Sequence, residues 1–578
     1  MKLRKSFMLL LTLVLALSMI LTACGGKQEG STEPNKGENP PPAEEKKGEE
    51  GAPKEGGVVV YGIDAPPSGV LDPAFIGNAT DSDVAAFMHE SMFTNDENIQ
   101  IQPNLATWET EDNKVYTFKL KQGVKWHNGE ELTMEDWKFA MEVLAHPDYT
   151  GPRFNYVEHI EGAVEMKDKK ADAISGLEII DPYTMKIAFI EARVNNLENL
   201  WSHPMPKKHF EGVEIAKMEE SEQARTKPVG LGPFKVKSVV PGEYVEYERF
   251  DDYWDGKPLL DGITVKVIDP SLTVGELQNE NIHIMGIKPT LIPEVEALPN
   301  MKVETARGLS YSYVGFKMGT YDKDKRVATM DRTKFHNKNL RKAMFYALDR
   351  EAVIDAYLGG VAEPINTPVP SVHWIKADES LLTQYNYDPE KAKQLLAEAG
   401  YKDIDGDGFV EDPEGKPLTM KFQHYQGPAT FEGRAQALTQ MWRDIGLNVT
   451  LEPLKEGNLY YDLLENDDPE FELFFGGWVT GSDPDPKGLW LSTDLWNFPR
   501  WINEESDALL HRGTSEEAFD IEKRKAIYIE WQKIMNEELP ILPLWENVDV
   551  HAINAKLKGV TVDWSGNQRD PHKWYLEQ

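Results

Sequence analysis

Through the first part of the folded body, apolar side chains fall at every second position. Tyr116, Phe118 and Leu120 alternate with Thr117 and Lys119, and Met185, Ile187 and Phe189 repeat the pattern. Val245 and Tyr247 share one face of a short run, as do Ile263, Val265 and Val267 of another. A period of two predicts half-buried strands over 115–120, 185–189, 244–248 and 263–268, and the β-branched run Val58 to Tyr61 predicts another. Later the period lengthens. Leu340, Ala343, Met344, Ala347 and Leu348 recur at helical spacing, with Gly359-Gly360 closing the segment. Asp388-Pro389 before Glu390–Ala399 and Gly400 supplies an N-cap, an N1 proline and a terminal glycine. Ala435, Leu438, Met441, Trp442 and Ile445 form another stripe, closed by Gly446 before the strand-like 447–451. Helix, glycine and strand in that order predict a mixed α/β body.

The first 56 residues follow neither pattern. Lys2, Arg4 and Lys5 precede an uncharged stretch, Phe7 to Leu21, that is shorter than the roughly 20 residues a membrane span needs. This is a signal peptide over 1–23. Its end, Leu21-Thr22-Ala23-Cys24, resembles the lipobox of bacterial lipoproteins, which implies lipidation of Cys24. An ordinary secretory signal containing a thiol is the alternative. Residues 24–56, rich in Gly, Pro, Glu and Lys, bury too little to offset ordering entropy and predict a flexible linker. Lipid, linker and folded body together place the protein on the extracellular face of a cell membrane, and the long stalk suits a Gram-positive envelope.

The chain has 578 residues, 62 Lys and Arg against 97 Asp and Glu, and a net charge of −35. That charge repels phosphate backbones and anionic lipid heads, so nucleic acid is excluded as a partner. A single cysteine rules out a disulfide scaffold and any multi-thiolate metal site. Enzyme motifs are missing: His89-Glu90 has no second histidine, and no nucleophile elbow, Walker loop or dinucleotide fingerprint occurs. An enzyme is therefore not expected, and an anchored extracellular hydrolase is the rival from another class.

Several blocks remain. Pro103-Asn-Leu-Ala106, Trp108 and 115–120 are followed by Gly123-Val-Lys-Trp-His-Asn-Gly129, then Thr133, Asp136 and Trp137. Pro228-Val-Gly-Leu-Gly-Pro-Phe234 precedes Tyr253-Trp254; Asn339-Leu-Arg-Lys-Ala343 precedes Ala347-Leu-Asp-Arg350; Gly476-Gly-Trp478 precedes Asp483-Pro-Asp-Pro486. Their order and spacing resemble the solute-binding proteins of ABC importers that take up oligopeptides, dipeptides and nickel chelates, closest to the oligopeptide-binding lipoproteins of Gram-positive bacteria. The resemblance implies an α/β, periplasmic-binding-protein type II-like, two-lobed Venus-flytrap fold with an additional third domain. Lobe I is expected at 57–100, 225–308 and 535–578, the extra domain at 101–224, and lobe III at 309–534. It also implies a monomer that binds an oligopeptide by lobe closure and hands it to an ABC permease complex, with no required cofactor. An oligosaccharide or metal-chelate receptor on the same fold is the alternative.

Breadth of peptide uptake follows if the backbone is held as an added strand and side chains enter roomy pockets. In the family, an aspartate three residues after the late tryptophan anchors the peptide amine. Here that position is Gly481, with Asp483 and Asp485 nearby. The resemblance makes Trp478 a pocket wall, Asn78, Ala79 and Thr80 a loop meeting the ligand backbone, and Tyr311 and Tyr313 cleft aromatics. Core packing, capping and an ordinary loop are the plainer roles for these residues. Separately, Asp403, Asp405, Asp407, Gly408 and Glu414 match the spacing of a calcium loop, an expected structural Ca²⁺ site. A polar turn between helix and strand is its alternative.

Overall fold

The computed structural model describes residues 54–577, Lys487 apart, and Cys24 with its signal peptide lies outside them. The predicted strands form at Val58–Ile63, Val115–Leu120, Thr184–Ala188, Tyr244–Arg249 and Gly262–Val267. The helical stripe after Leu340 is two helices, Lys338–Tyr346 and Arg350–Tyr357, because the Asp349 carboxylate accepts from the Ala352 amide and starts a second helix. Helix Pro389–Glu398 begins at the Asp388 cap as expected.

An eleven-stranded sheet runs through the body. Its order is 448–451, 419–423, 473–479, 301–316, 541–554, 284–286, 58–63, 262–267, 244–249 and 234–240, with Glu363–Pro364 also pairing to 541–554. Two long antiparallel strands at its centre, Met301–Phe316 and Ile541–Asn554, belong to both halves. Where they cross, Arg307 faces Val548 and Tyr311 faces Glu546, so Gly308, Leu309 and Ser310 stand against Asn547 alone. Such a bulge breaks the ladder and makes the crossing the place where the halves can bend. Asn547 spans it, donating to Ser310 Oγ (3.1 Å) and accepting from Ser312 Oγ (3.2 Å).

One core contains Val59, Phe87 and Ile263 of the first lobe together with Phe118, Trp137 and Ile187 of the extra domain; another runs from Tyr311 to Trp545. The second core holds Met535, Ile541 and Trp545, so the chain returns to the first lobe near Glu546–Val548 and not at 535 as the sequence suggested. Helix Ile521–Glu538 carries its buried face into the second lobe, which draws the start of the following strand with it.

The extra domain is a four-stranded sheet, 106–110, 115–120, 184–188 and 177–181, covered by helix Met134–Ala145. Thr133 and Asp136 form a capping box at that helix's start, and Trp137 stacks edge-on to Phe118 at 5.0 Å. Two of the sequence blocks meet as one joint. His127 Nδ1 accepts from the Gly230 amide (3.1 Å) and Nε2 donates to the Gly232 carbonyl (2.9 Å), tying the extra domain to the first lobe. A Cβ at Gly230 would stand 1.8 Å from the Met88 carbonyl oxygen, so only glycine permits this approach.

Buried arginines perform the same service in the second lobe. Arg341 donates to the carbonyls of Phe335, His336, Glu538 and Leu539, and Arg350 to those of Ile365, Pro543, Leu544 and Tyr385. Each pins the start of strand 541–554 or the turn before it to the helices that cover it.

Candidate functional site

Strand Leu473–Val479 ends at the crossing, and its last residues turn from core to opening. Phe474 and Phe475 are buried, Trp478 is half-buried, and Val479 is 81% exposed. Tyr313 lies over Gly476, where a Cβ would come within 2.6 Å of the ring, and this lets the two strands close tightly beneath Trp478. Trp478 stacks on Phe498 at 5.4 Å and 17°, Trp496 packs beside it at 6.4 Å, and Tyr461 meets Phe498 at 6.4 Å. Trp496 keeps half its surface exposed. The result is an aromatic wall on the second lobe, built to take apolar or planar groups without reading their polarity.

Tyr311 and Tyr313 are both buried in the second core, and burial pushes both phenols well above their usual range. Tyr311 also borders a cavity of about 200 Å³, with Val369, His373, Val479, Asp483 and Trp490. His373 donates to the Gly481 carbonyl through Nε2 (3.1 Å), and burial holds its imidazole down to about 4, so it is neutral at physiological pH.

Asp483 is already committed. Arg524 Nη2 reaches both carboxylate oxygens at 2.8 and 3.0 Å, and Arg524 Nε donates to the Gly513 carbonyl. Burial works most strongly against the guanidinium charge, but Asp483, Tyr528 and Asp485 together outweigh it and raise the arginine further. Asp485 accepts from the Tyr528 hydroxyl at 3.2 Å, and its amide donates to Asp483 (3.0 Å). The two aspartates thus hold the turn after the tryptophan to helix Ile521–Glu538 in place of offering a free carboxylate to an amine.

On the facing side, Asn78 caps helix Ala79–Ala85: its Oδ1 accepts from the Asp81 amide (2.9 Å) and its Nδ2 donates to Asp81 (2.8 Å). Asn78 and Ala79 are exposed and Thr80 half-buried, outside the lining of the three cavities between the lobes; the same helix and the residue after it present Ser82, Ala85 and Ala86 to one of about 410 Å³. Arg153, Tyr156, Glu198, Trp201 and His203 complete that space. A third cavity of about 160 Å³ joins the halves, bordered by Glu198 and Val194 of the extra domain and by Trp374, Pro484 and Arg524 of the second lobe. Glu198 borders the second and third cavities, and Pro484 the first and third, so the three lie side by side between the lobes, each sharing a lining residue with the next.

Larger hollows lie elsewhere. One of about 990 Å³ is bordered by Arg350, Lys376, Glu379, Tyr387 and Lys525, all of the second lobe, so lobe closure cannot enclose a ligand there. The three adjoining cavities between the lobes are the functional candidate for that reason, despite their smaller volume.

Sequence reasoning missed Phe498, Trp496, His373, Glu198 and Arg524. Nothing in their spacing links them to Trp478, because they arrive from four separate segments, Trp496 and Phe498 sharing one.

Asp403, Asp405 and Asp407 come together, with one oxygen from each within 4.8 Å of the others, on an exposed loop. Glu414 does not join them. The turn in which the Gly415 amide donates to the Asp412 carbonyl (2.8 Å) carries Glu414 to Lys416, and Glu411 reaches back instead, accepting from the Ile404 amide (2.7 Å).

The family model described as bacterial extracellular solute-binding proteins, family 5 Middle, matches residues 100–498. The oligopeptide-binding protein AppA of Bacillus subtilis is 28% identical over 585 residues, covering all of both chains. Its structure in complex with a nonapeptide shares the fold at a TM-score of 0.68, with 26% identity, over 91% of this chain and 100% of that one. The oligopeptide-binding protein OppA of Lactococcus lactis subsp. cremoris is 27% identical over 467 residues, 78% of each chain. The shared architecture is the type II periplasmic-binding-protein fold with multiple domains.

Proposed function

Because the chain belongs to the bacterial extracellular solute-binding proteins of family 5, we propose that it is a membrane-anchored oligopeptide receptor that delivers its ligand to an ABC importer by closing two lobes around it. The observation that carries this reading is the row of three adjoining cavities between the lobes, with Trp478, stacked on Phe498 and beside Trp496, one residue before the Val479 that borders one of them. A wall of rings accepts many side chains, and the exposed end of strand 473–479 offers backbone groups to an extended chain. The relatives named as oligopeptide-binding proteins support the same ligand class.

The lipobox-like ending at Cys24 supports a lipid anchor, and among the described residues no helix is long and apolar enough to cross a membrane. The protein acts as a monomer, and it carries its ligand without altering it. At Asp403, Asp405 and Asp407, three exposed carboxylates supply hard oxygen ligands for a structural Ca²⁺. Isothermal titration of chelator-treated protein with CaCl₂ gives heat with one site per chain if that reading holds, and none if the loop is only a polar turn.

Native mass spectrometry of protein purified from cells tests the main reading. The expected result is a set of bound masses that fragment as peptides. A single sugar or metal-chelate mass would replace the oligopeptide with one of the other ligands this fold can enclose, and peptide cleavage on incubation would point to a hydrolase.

A further inference from the structure

Gly481 occupies the place where an acid would receive a peptide amine, and Asp483 is paired with Arg524. The cleft therefore needs another carboxylate if it is to hold a ligand ammonium. Glu198 is the one the geometry supplies. It sits on the extra domain, borders both the 410 Å³ and the 160 Å³ cavities, and shares the latter with Arg524. Its Oε2 is buried and has no hydrogen-bond partner. A buried carboxylate oxygen with nothing donating to it costs free energy until a donor arrives.

We propose that Glu198 receives the ammonium group of the ligand, so that the extra domain and not the turn after Trp478 reads the free amino terminus. Charge supports this. Three carboxylates, Glu198, Asp483 and Asp485, and two guanidiniums, Arg524 and Arg153, line the three cavities, a local net charge of −1 when the acids are ionised. One ammonium neutralises it. Empty closure sets Glu198 against Asp483, whereas closure on an amine sets both against a cation. Trp201 and Tyr156, 6.0 Å apart in the same cavity, add ring faces suited to a cation. Arg153 also borders the cavity, but its Nη2 donates to the Ile76 carbonyl (2.8 Å), and its charge falls on His203.

Burial, with Asp483 adding to it, raises the Glu198 carboxyl to about 7, while Arg524 opposes the rise. The surrounding imidazoles are silent in this range: burial holds His89 and His373 near 4 and His203 near 3. An ammonium favours the ionised acid, so binding expels a proton from Glu198, and affinity falls as pH drops below about 7. Above about 8 the peptide amine itself loses its charge.

The inference rests on the peptide-receptor reading, and the test separates the two. Wild-type protein and Glu198→Gln, which keeps the side-chain shape, are titrated calorimetrically at pH 7.5 with two synthetic hexapeptide mixtures of the same composition. One mixture has free amino termini and the other is N-acetylated. Wild type should prefer the free-amine mixture roughly tenfold, and lose that preference between pH 7 and pH 5.5. Glu198→Gln should bind both mixtures as wild type binds the acetylated one, with no such pH dependence, and Glu198→Asp should keep part of the preference. An unchanged thermal midpoint establishes that the variants fold. A preference that survives Glu198→Gln, or equal binding of both mixtures by wild type, overturns the role of Glu198 while leaving the receptor reading intact. Binding of neither mixture by wild type overturns both.

Discussion

On the second lobe, Trp478, Phe498 and Trp496 lie ring against ring just before Val479 enters the lining of a cavity, and Asp483 in that lining is neutralised by Arg524. The facing wall has helix Ala79–Ala85, neutral histidines and the cavity-lining carboxylate of Glu198, whose Oε2 no group satisfies. The first wall has settled its charges internally and presents area; the second leaves a charge unsettled. Area without polarity takes side chains of many kinds, while an unmet charge selects a group that can answer it. A receptor that must be both broad and oriented gains by placing these tasks on opposite lobes, because only closure then brings them to bear on one ligand.

The comparison can be broken most forcefully at the settled charge. Arg524→Met removes the partner of a buried aspartate, and the expected cost is about 3 kcal/mol of stability in urea unfolding. A cost below about 1 kcal/mol would mean that Asp483 is free to meet solvent or ligand, and the two walls would no longer differ in kind. Next, Trp478→Ala should weaken binding of free-amine and acetylated hexapeptides alike, by roughly thirtyfold. Selective loss of one mixture would assign the reading of termini to the aromatic side. The smallest effect is expected at Asn78→Ala, where a lost helix cap costs about 1 kcal/mol and peptide affinity stays within twofold by titration. A larger affinity loss would return Asn78 to the ligand, as the sequence resemblance suggested.

The extended sequence blocks report on construction more than on binding. Gly123–Gly129 and Pro228–Phe234 are the two sides of one interdomain joint; Arg341 and Arg350 pin a strand by its carbonyls; Asp483 and Asp485 hold a turn to a helix. Each requires a specific residue type at a specific backbone approach, and this makes the blocks recognisable. The cleft imposes no such spacing. Glu198, His373, Phe498 and Arg524 converge from segments far apart, and each alone looks like any surface acid, core ring or paired arginine.

Alternation of period two along 115–120 and 262–267, the helical stripes after Leu340 and Ala435, and the capping residues were enough to determine local structure, since each depends on neighbours within a few positions. The apolar leader ending at Cys24 and the overall negative charge likewise needed no folding to be read. Tertiary structure alone decided that Tyr313 is core while Trp478 stays half-buried against Phe498, that Asp483 is paired with Arg524, that Glu414 turns away from the three aspartates, and that the chain recrosses at Glu546–Val548. Those outcomes depend on which distant groups share a few ångströms, and burial and charge pairing are set by that proximity and not by position along the chain.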